Sequence, residues 1–122
     1  TLSDLPLKNR LEEAGWEINF STDDGSYGFT GLVTQLVEQE LRKRKPAFLF
    51  GCGPEGMMAR LADICQLSNL GAEFSLESIM GCGLGACWGC VRKIKKGSEI
   101  KYHRICQDGP VFQAEEIVWS GD

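Results

Sequence analysis

Cys82, Cys87, Cys90 and Cys106 follow the spacing C-x4-C-x2-C-x15-C, and the first three match the arrangement that holds a plant-type 2Fe-2S cluster. Each iron takes two soft thiolates, so a loop must wrap the cluster while the fourth cysteine arrives from a separate strand. The residues between the ligands suit that task. Gly81, Gly83, Gly85, Ala86 and Gly89 are small enough to take unusual backbone angles and to turn N–H groups toward sulfur. Four thiolates leave such a cluster net negative, and more so after reduction. Backbone donors and restricted water therefore set the potential at which an electron is accepted.

Other chemistries compete for the same thiols. Structural zinc usually pairs two short C-x2-4-C knuckles, and only one is present here. Six cysteines also allow three disulfides in a small secreted scaffold. The start of the chain has no basic-then-apolar signal pattern, which points to a cytoplasmic protein with reduced thiols. Cys65 falls on the apolar side of a helical repeat and reads as a small buried hydrophobe. His103 stands near Cys106, as a Rieske-type ligand would, but four cysteines already suffice.

A second set of candidates lies earlier in the chain. Gly51-Cys52-Gly53-Pro54-Glu55-Gly56-Met57 leads from an apolar run into a helix, whose N-terminus attracts an anion. Ser21-Thr22-Asp23-Asp24-Gly25-Ser26-Tyr27-Gly28 closes the preceding strand. Both loops are expected on the C-terminal edge of a parallel sheet, where nucleotides bind in open α/β folds. Asp23 or Asp24 would accept hydrogen bonds from a ribose and repel a 2′-phosphate, which favours NAD over NADP. An Asp-Gly turn in solvent and a plain Gly-Pro connection are the simpler readings of the two loops. No G-x-G-x-x-G phosphate loop follows a first strand, so the nucleotide site is expected to be incomplete.

The elements that must position these residues follow from periodicity. Alternation predicts a strand over Trp16–Ser21, and Thr30 is placed to cap a helix over 31–44 that Lys45-Pro46 stops. Ala47–Phe50 reads as a strand buried on both faces, Pro54 as the first residue of a helix carrying Met57, Met58, Leu61, Ala62 and Cys65, and Glu73–Glu77 as a third strand. Strand, helix, strand, helix, strand implies a parallel α/β layer. From Met80 the texture changes to a cysteine-rich appendage, with a hairpin formed by Val91–Ile94 and Tyr102–Cys106. The expected division is a partial NAD-binding domain at 1–79 and a 2Fe-2S domain at 80–122.

Composition is that of an ordinary globular chain: 122 residues, 43% hydrophobic, 25% charged, net charge −4. The balance offers no general attraction to nucleic acid or anionic lipid, and no apolar run reaches the roughly 20 residues of a membrane span. The chain starts at Thr1 and its first methionine is Met57, which reads as the C-terminal piece of something longer.

Taken together, Ser21–Gly28, Cys52-Gly53-Pro54 with Met57, Met80-Gly81-Cys82-Gly83-Leu84-Gly85-Ala86-Cys87-Trp88-Gly89-Cys90 and Arg104-Ile105-Cys106-Gln107-Asp108-Gly109-Pro110-Val111-Phe112 resemble the electron-transfer subunits of NAD-dependent dihydroorotate dehydrogenases. Those subunits belong to the ferredoxin reductase-like superfamily, and the resemblance covers nearly the whole chain. It implies a ferredoxin reductase C-terminal-like nucleotide domain, here a partial parallel three-layer one, followed by the 2Fe-2S domain. It also implies an FAD-binding β-barrel N-terminal to both, so that FAD would be held by the full-length protein. The partner would be an FMN-containing catalytic subunit that oxidises dihydroorotate to orotate in pyrimidine biosynthesis. The cluster would relay single electrons, with FAD delivering hydride to NAD. By the same resemblance Cys52 lies near the nicotinamide.

Ser78-Ile79 stands where charged residues are expected in the closest relatives. Small subunits of sulfide dehydrogenases, flavin-bifurcating NADH:ferredoxin reductases and soluble hydrogenases share the layout. A zinc-stabilised nucleotide-binding or interaction module is the alternative from another class. Arg92, Lys93, Lys95, Lys96, Lys101, His103 and Arg104 make the hairpin basic, as docking to an acidic partner or offset of cluster charge would require; a solvated hairpin is the simpler reading.

Overall fold

The computed structural model describes Leu5 and residues 7–119. Its element order is α1 (Lys8–Glu13), β1 (Ser21–Thr22), β2 (Phe29–Thr30), α2 (Val33–Lys43), β3 (Phe48–Cys52), α3 (Glu55–Leu67), β4 (Gly71–Ser75), β5 (Val91–Lys96), β6 (Glu99–Arg104), α4 (Ile105–Asp108) and β7 (Val111–Gln113). The class is mixed α/β with small sheets. The chain forms two compact units, residues 1–45 and 46–122. Among the described residues no helix is long and apolar enough to cross a membrane.

In the first unit the expected strand over Trp16–Ser21 is realised only at its end. Residues 16–20 are irregular, and β1 is a two-residue strand paired in parallel with β2. Alternation alone does not make a strand, because the extended backbone needs a ladder partner. Here Trp16 stays 70% exposed, and of these carbonyls Phe20 O is the one that reaches the pairing, accepting from Phe29 N at 2.8 Å. Thr30 likewise does not cap the next helix, since it belongs to β2. Helix α2 starts at Val33 with Leu32 at its N-cap, and the Gln35 side chain reaches back to accept from Leu32 N at 3.2 Å. A bidentate Arg44–Glu17 pair, both bonds 2.8 Å, ties the end of α2 to the irregular segment.

The second unit is built on a three-stranded sheet of order β3-β4-β7. Strands β3 and β4 are parallel in the register Phe48↔Gly71 to Cys52↔Ser75. That is the expected parallel pair, with β4 beginning two residues before the expected Glu73. Strand β7 then joins β4 antiparallel, which nothing in the sequence had suggested. Helix α3 covers one face with Met58, Leu61, Ile64 and Cys65, meeting a fully buried Phe74. Pro54 is the N-cap of α3 rather than its first helical residue. Among the described residues strand β3 pairs with β4 alone and is not buried on both faces: Phe48, Phe50 and Cys52 alternate onto an exposed face, with Phe50 75% exposed.

The expected hairpin is present as β5 and β6, paired from Val91↔Arg104 to Lys96↔Glu99 around Gly97-Ser98. It is knitted into the same unit. Ile94, wholly buried, bridges to Ile117, and Val118 N donates to Lys93 O at 3.2 Å. Leu76 N donates to Pro110 O at 2.9 Å, so residues on both sides of position 80 share one hydrogen-bonded framework.

Candidate metal centre

Between β4 and β5 the chain has no regular structure from residue 76 to 90. Such a segment must satisfy its backbone groups in some other way, and here sulfur is one acceptor. Leu84 N and Cys87 N both donate to Cys82 Sγ at 3.4 Å. Donors stabilise a thiolate over a thiol, and the Cys82 pKa is accordingly lowered to about 6, the Cys87 backbone N–H contributing most.

The other two cysteines form a pair. Strand β6 ends at Arg104, and α4 carries Cys106 back toward the loop, where Ile105 N donates to Cys90 O at 3.2 Å. Cys90 Sγ then lies 3.4 Å from Cys106 Sγ. Proximity splits the two thiols. Cys90 is lowered, first by the Cys106 backbone N–H, while Cys106 is raised by the adjoining Cys90 sulfur and next by burial.

Backbone N–H donors at Cys82 Sγ and the contact of Cys90 Sγ with Cys106 Sγ suit a binuclear iron–sulfur cluster, which takes two sulfurs per iron. Among the described residues no three His, Cys, Asp or Glu are grouped as a metal site; the sulfur–sulfur contact is that of Cys90 with Cys106. The small residues have visible reasons. Gly83 and Gly85 sit at φ of +67° and +76°, where a side chain is strained, and a Cβ on Gly81 would approach Cys87 Sγ to 3.2 Å. Around the loop Ile79, Leu84 and Trp88 are exposed.

Cys65 is buried in the α3 core and its thiol is pushed up by that burial. Its place is structural, as expected. His103 is half-buried with Nδ1 3.9 Å from Asp108 Oδ2. Not all of the basic hairpin is displayed to solvent. Arg92 Nη2 is 3.2 Å from Glu55 Oε2 and donates to Glu77 O at 3.4 Å, and Arg104 Nη1 donates to Gly85 O at 2.7 Å. Sequence reasoning gave these two arginines no structural part, because the backbone carbonyls they reach, and Glu55 in the case of Arg92, lie far off along the chain and leave no mark in a spacing pattern.

The candidate nucleotide residues fall in the two units, each described by itself. In the first, Thr22 is buried and closes the loop: its Oγ1 donates to Tyr27 O at 2.8 Å and accepts from Tyr27 N at 3.1 Å. Ser21 lies beside it in β1, and Asp23 is exposed. Asp24 Oδ1 accepts from Ser26 N at 3.1 Å and from Ser26 Oγ at 2.7 Å, bonds that hold its carboxyl below the usual range. In the second unit Cys52 is exposed at the end of β3, and the Met57 side chain lies over Gly53, which has φ +154°. Gly53 and Pro54 line a cleft of about 220 Å³ together with Glu55, Glu77, Arg92 and Trp119. That is below the roughly 300–1,000 Å³ of small-molecule sites.

Residues 77–118 match the family described as the iron-sulfur cluster binding domain of dihydroorotate dehydrogenase B. Over 113 residues the chain is 41% identical to the dihydroorotate dehydrogenase B (NAD(+)) electron transfer subunit of Caldanaerobacter subterraneus subsp. tengcongensis, covering 93% of this chain and 44% of that protein. The subunit of the same name from Geobacillus kaustophilus is 44% identical over 102 residues, covering 84% of this chain and 38% of the relative. A probable counterpart from Methanopyrus kandleri is 36% identical over 113 residues, 93% of this chain and 40% of the relative. The chain thus spans less than half the length of the curated relatives it matches. Among solved structures, an NADH-dependent reduced ferredoxin-NADP oxidoreductase, studied for flavin-based electron bifurcation, aligns with a TM-score of 0.70 at 29% identity, covering 91% of this chain and 38% of the other.

Proposed function

With residues 77–118 matching that cluster-binding domain, we propose that this chain is an electron-relay portion of an NAD-linked dihydroorotate dehydrogenase, carrying a 2Fe-2S cluster on Cys82, Cys87, Cys90 and Cys106. The cluster supplies one-electron uptake and release. The protein supplies the sulfurs, the N–H donors that make negative charge tolerable at them, and the small-residue loop that keeps the donors close. The observation that carries the reading is the contact of Cys90 Sγ with Cys106 Sγ at 3.4 Å, together with the two backbone N–H groups of the loop that donate to Cys82 Sγ.

In this reading residues 1–79 contribute part of a three-layer nicotinamide-nucleotide domain through Ser21, Asp23, Asp24, Cys52, Gly53, Pro54 and Met57, and residues 80–122 form the cluster domain. The exposed Asp23 is the carboxylate better placed to meet a ribose, since Asp24 is engaged in its own turn. NAD is the nucleotide, FAD is held by the full-length protein, and the partner is an FMN-containing subunit that oxidises dihydroorotate. The setting is cytoplasmic. Neither nucleic acid nor membrane is a partner.

Anaerobically purified protein is expected to contain iron and acid-labile sulfide in equal amounts and to give a rhombic paramagnetic signal after one-electron reduction. Stoichiometric zinc without sulfide would overturn the relay. The dihydroorotate assignment is tested separately by co-purification of the full-length protein with an FMN-containing dihydroorotate oxidase. The likeness to the NADH-dependent ferredoxin-NADP oxidoreductase favours one second reading, a related bifurcating reductase. Co-purification with such a partner would keep the relay and replace the substrate.

A further inference from the structure

Arg104 stands two residues before Cys106 and yet reaches across to the loop that carries Cys82 and Cys87. Its Nη1 donates to Gly85 O at 2.7 Å. Its own backbone is anchored, with Arg104 N donating to Asp108 Oδ2 at 2.7 Å and Nε 3.8 Å from the same oxygen. The guanidinium lies 5.9 Å from the Trp88 ring centroid, within the range of a cation–π contact. An arginine held at three points by one carboxylate, one carbonyl and one ring is not a solvated surface charge.

The carbonyl that it grips is not an arbitrary one. Gly85 lies between Leu84 and Cys87, whose N–H groups both donate to Cys82 Sγ at 3.4 Å, and its C=O shares one planar peptide group with Ala86, the residue before Cys87. Fixing Gly85 therefore fixes the turn that presents both donors to that sulfur.

We propose that Arg104 is a positioning residue of the cluster site: by holding the Gly85 carbonyl it keeps the Leu84 and Cys87 N–H groups aimed at Cys82 Sγ. This rests on the cluster reading above. It adds that the site has a built-in orienting cation, and that the residue acts through the peptide backbone without ligating iron.

The test compares Arg104→Met with Lys95→Met, which removes the same charge from an exposed position of the same hairpin, in the full chain after anaerobic loading with iron and sulfide. Arg104→Met should release iron to a chelator about tenfold faster than the parent, as expected for loss of one charge-assisted hydrogen bond. It should also show altered g-values and a more negative midpoint potential, while Lys95→Met stays near the parent in all three. Equal release, signal and potential in the two variants would overturn the role of Arg104 and leave the cluster reading standing. If the parent takes up no iron and sulfide, both fall. Should Arg104→Met not fold, Arg104→Lys serves instead: it keeps the charge and lacks the planar fork. Its iron release should still exceed that of the parent, and parental release with an unchanged signal would overturn the proposal.

Discussion

Cys90 Sγ and Cys106 Sγ lie 3.4 Å apart although fifteen residues, including a complete β-hairpin, separate them. The hairpin makes the contact possible. Strand β5 leaves the ligand loop at Val91 and β6 returns to Arg104 opposite it, so residues flanking the hairpin on either side meet at its base. The long last interval of the cysteine pattern is thus the length of an out-and-back ribbon.

Removing the partner delivered by that ribbon tests the pairing. Cys106→Ser should lose most iron and sulfide and the paramagnetic signal, since a hydroxyl is a poor substitute for a soft thiolate. Cys65→Ser should keep both. It should instead lower stability by roughly 1–3 kcal/mol, because it places a hydroxyl in an apolar site. Metal content and denaturant midpoints, measured on both variants, separate the two effects. Equal iron loss in both would contradict the ligand assignment.

Phe74 tests the sheet beneath. It is wholly buried, its ring stands 5.8 Å from that of Trp119, and it fills the space over Gly51, where an added Cβ would meet it at 2.5 Å. Phe74→Ala should cost roughly 3–5 kcal/mol, read as a lower denaturant midpoint at an unchanged m-value. Gly51→Ala should destabilise from the opposite side by overpacking the same spot.

How much of this was legible beforehand depended on whether a residue's role is local. The cysteine spacing and its small-residue spacers could be read because they stand in nearly consecutive residues, and the contact of Cys90 with Cys106 follows from the hairpin between them. The β3–α3–β4 unit could be read because parallel strands joined by an amphipathic helix carry their periodicity in sequence. Strand β7 is only Val111–Gln113, too short for a periodic pattern, and its place is set by β4. The strand over Trp16–Ser21 failed for the complementary reason: its alternation is genuine, but pairing, which makes a strand, lies outside the segment. Thr22 and Arg104 were missed as structural residues because each acts on a backbone group that no side-chain pattern reveals.

Gly28 governs the acidic loop. It has φ +70°, and a Cβ there would collide with the Phe20 carbonyl oxygen and lie 2.9 Å from its carbonyl carbon. Both strain and collision oppose Gly28→Ala, and the backbone strain alone is worth roughly 1–2 kcal/mol. The variant should lose hydrogen-exchange protection at Phe29 N and Gly31 N, which donate to Phe20 O and Thr22 O. Iron content should stay at the parental value. Unchanged protection at both amides would show that the loop does not depend on this glycine.

Asp23 tests nucleotide choice without touching the turn. Asp24 is tied to Ser26, so its replacement would disturb the loop and discrimination together, whereas Asp23 is exposed. If Asp23 faces the ribose, Asp23→Ser removes about 1 kcal/mol of repulsion toward a 2′-phosphate. The preference of the full-length protein for NAD over NADP should then fall about fivefold. An unchanged ratio of the two dissociation constants would place the discriminating group elsewhere.

Arg92 joins the two candidate sites of the second unit. Its guanidinium pairs with Glu55 at the start of α3, one residue past Pro54, and also reaches Glu77 O at the entry to the ligand loop. Both charged side chains are about a third exposed, so water screens the ion pair, and a double-mutant cycle of Arg92→Ala with Glu55→Ala should yield a coupling of only about 0.5 kcal/mol that shrinks with salt. The bond to Glu77 O is not removed in Glu55→Ala. Arg92→Ala should therefore destabilise the loop more than Glu55→Ala does, seen as faster iron release to a chelator at equal ionic strength. If the two single variants release iron at the same rate, the contact with Glu77 contributes nothing, and the arginine serves α3 alone.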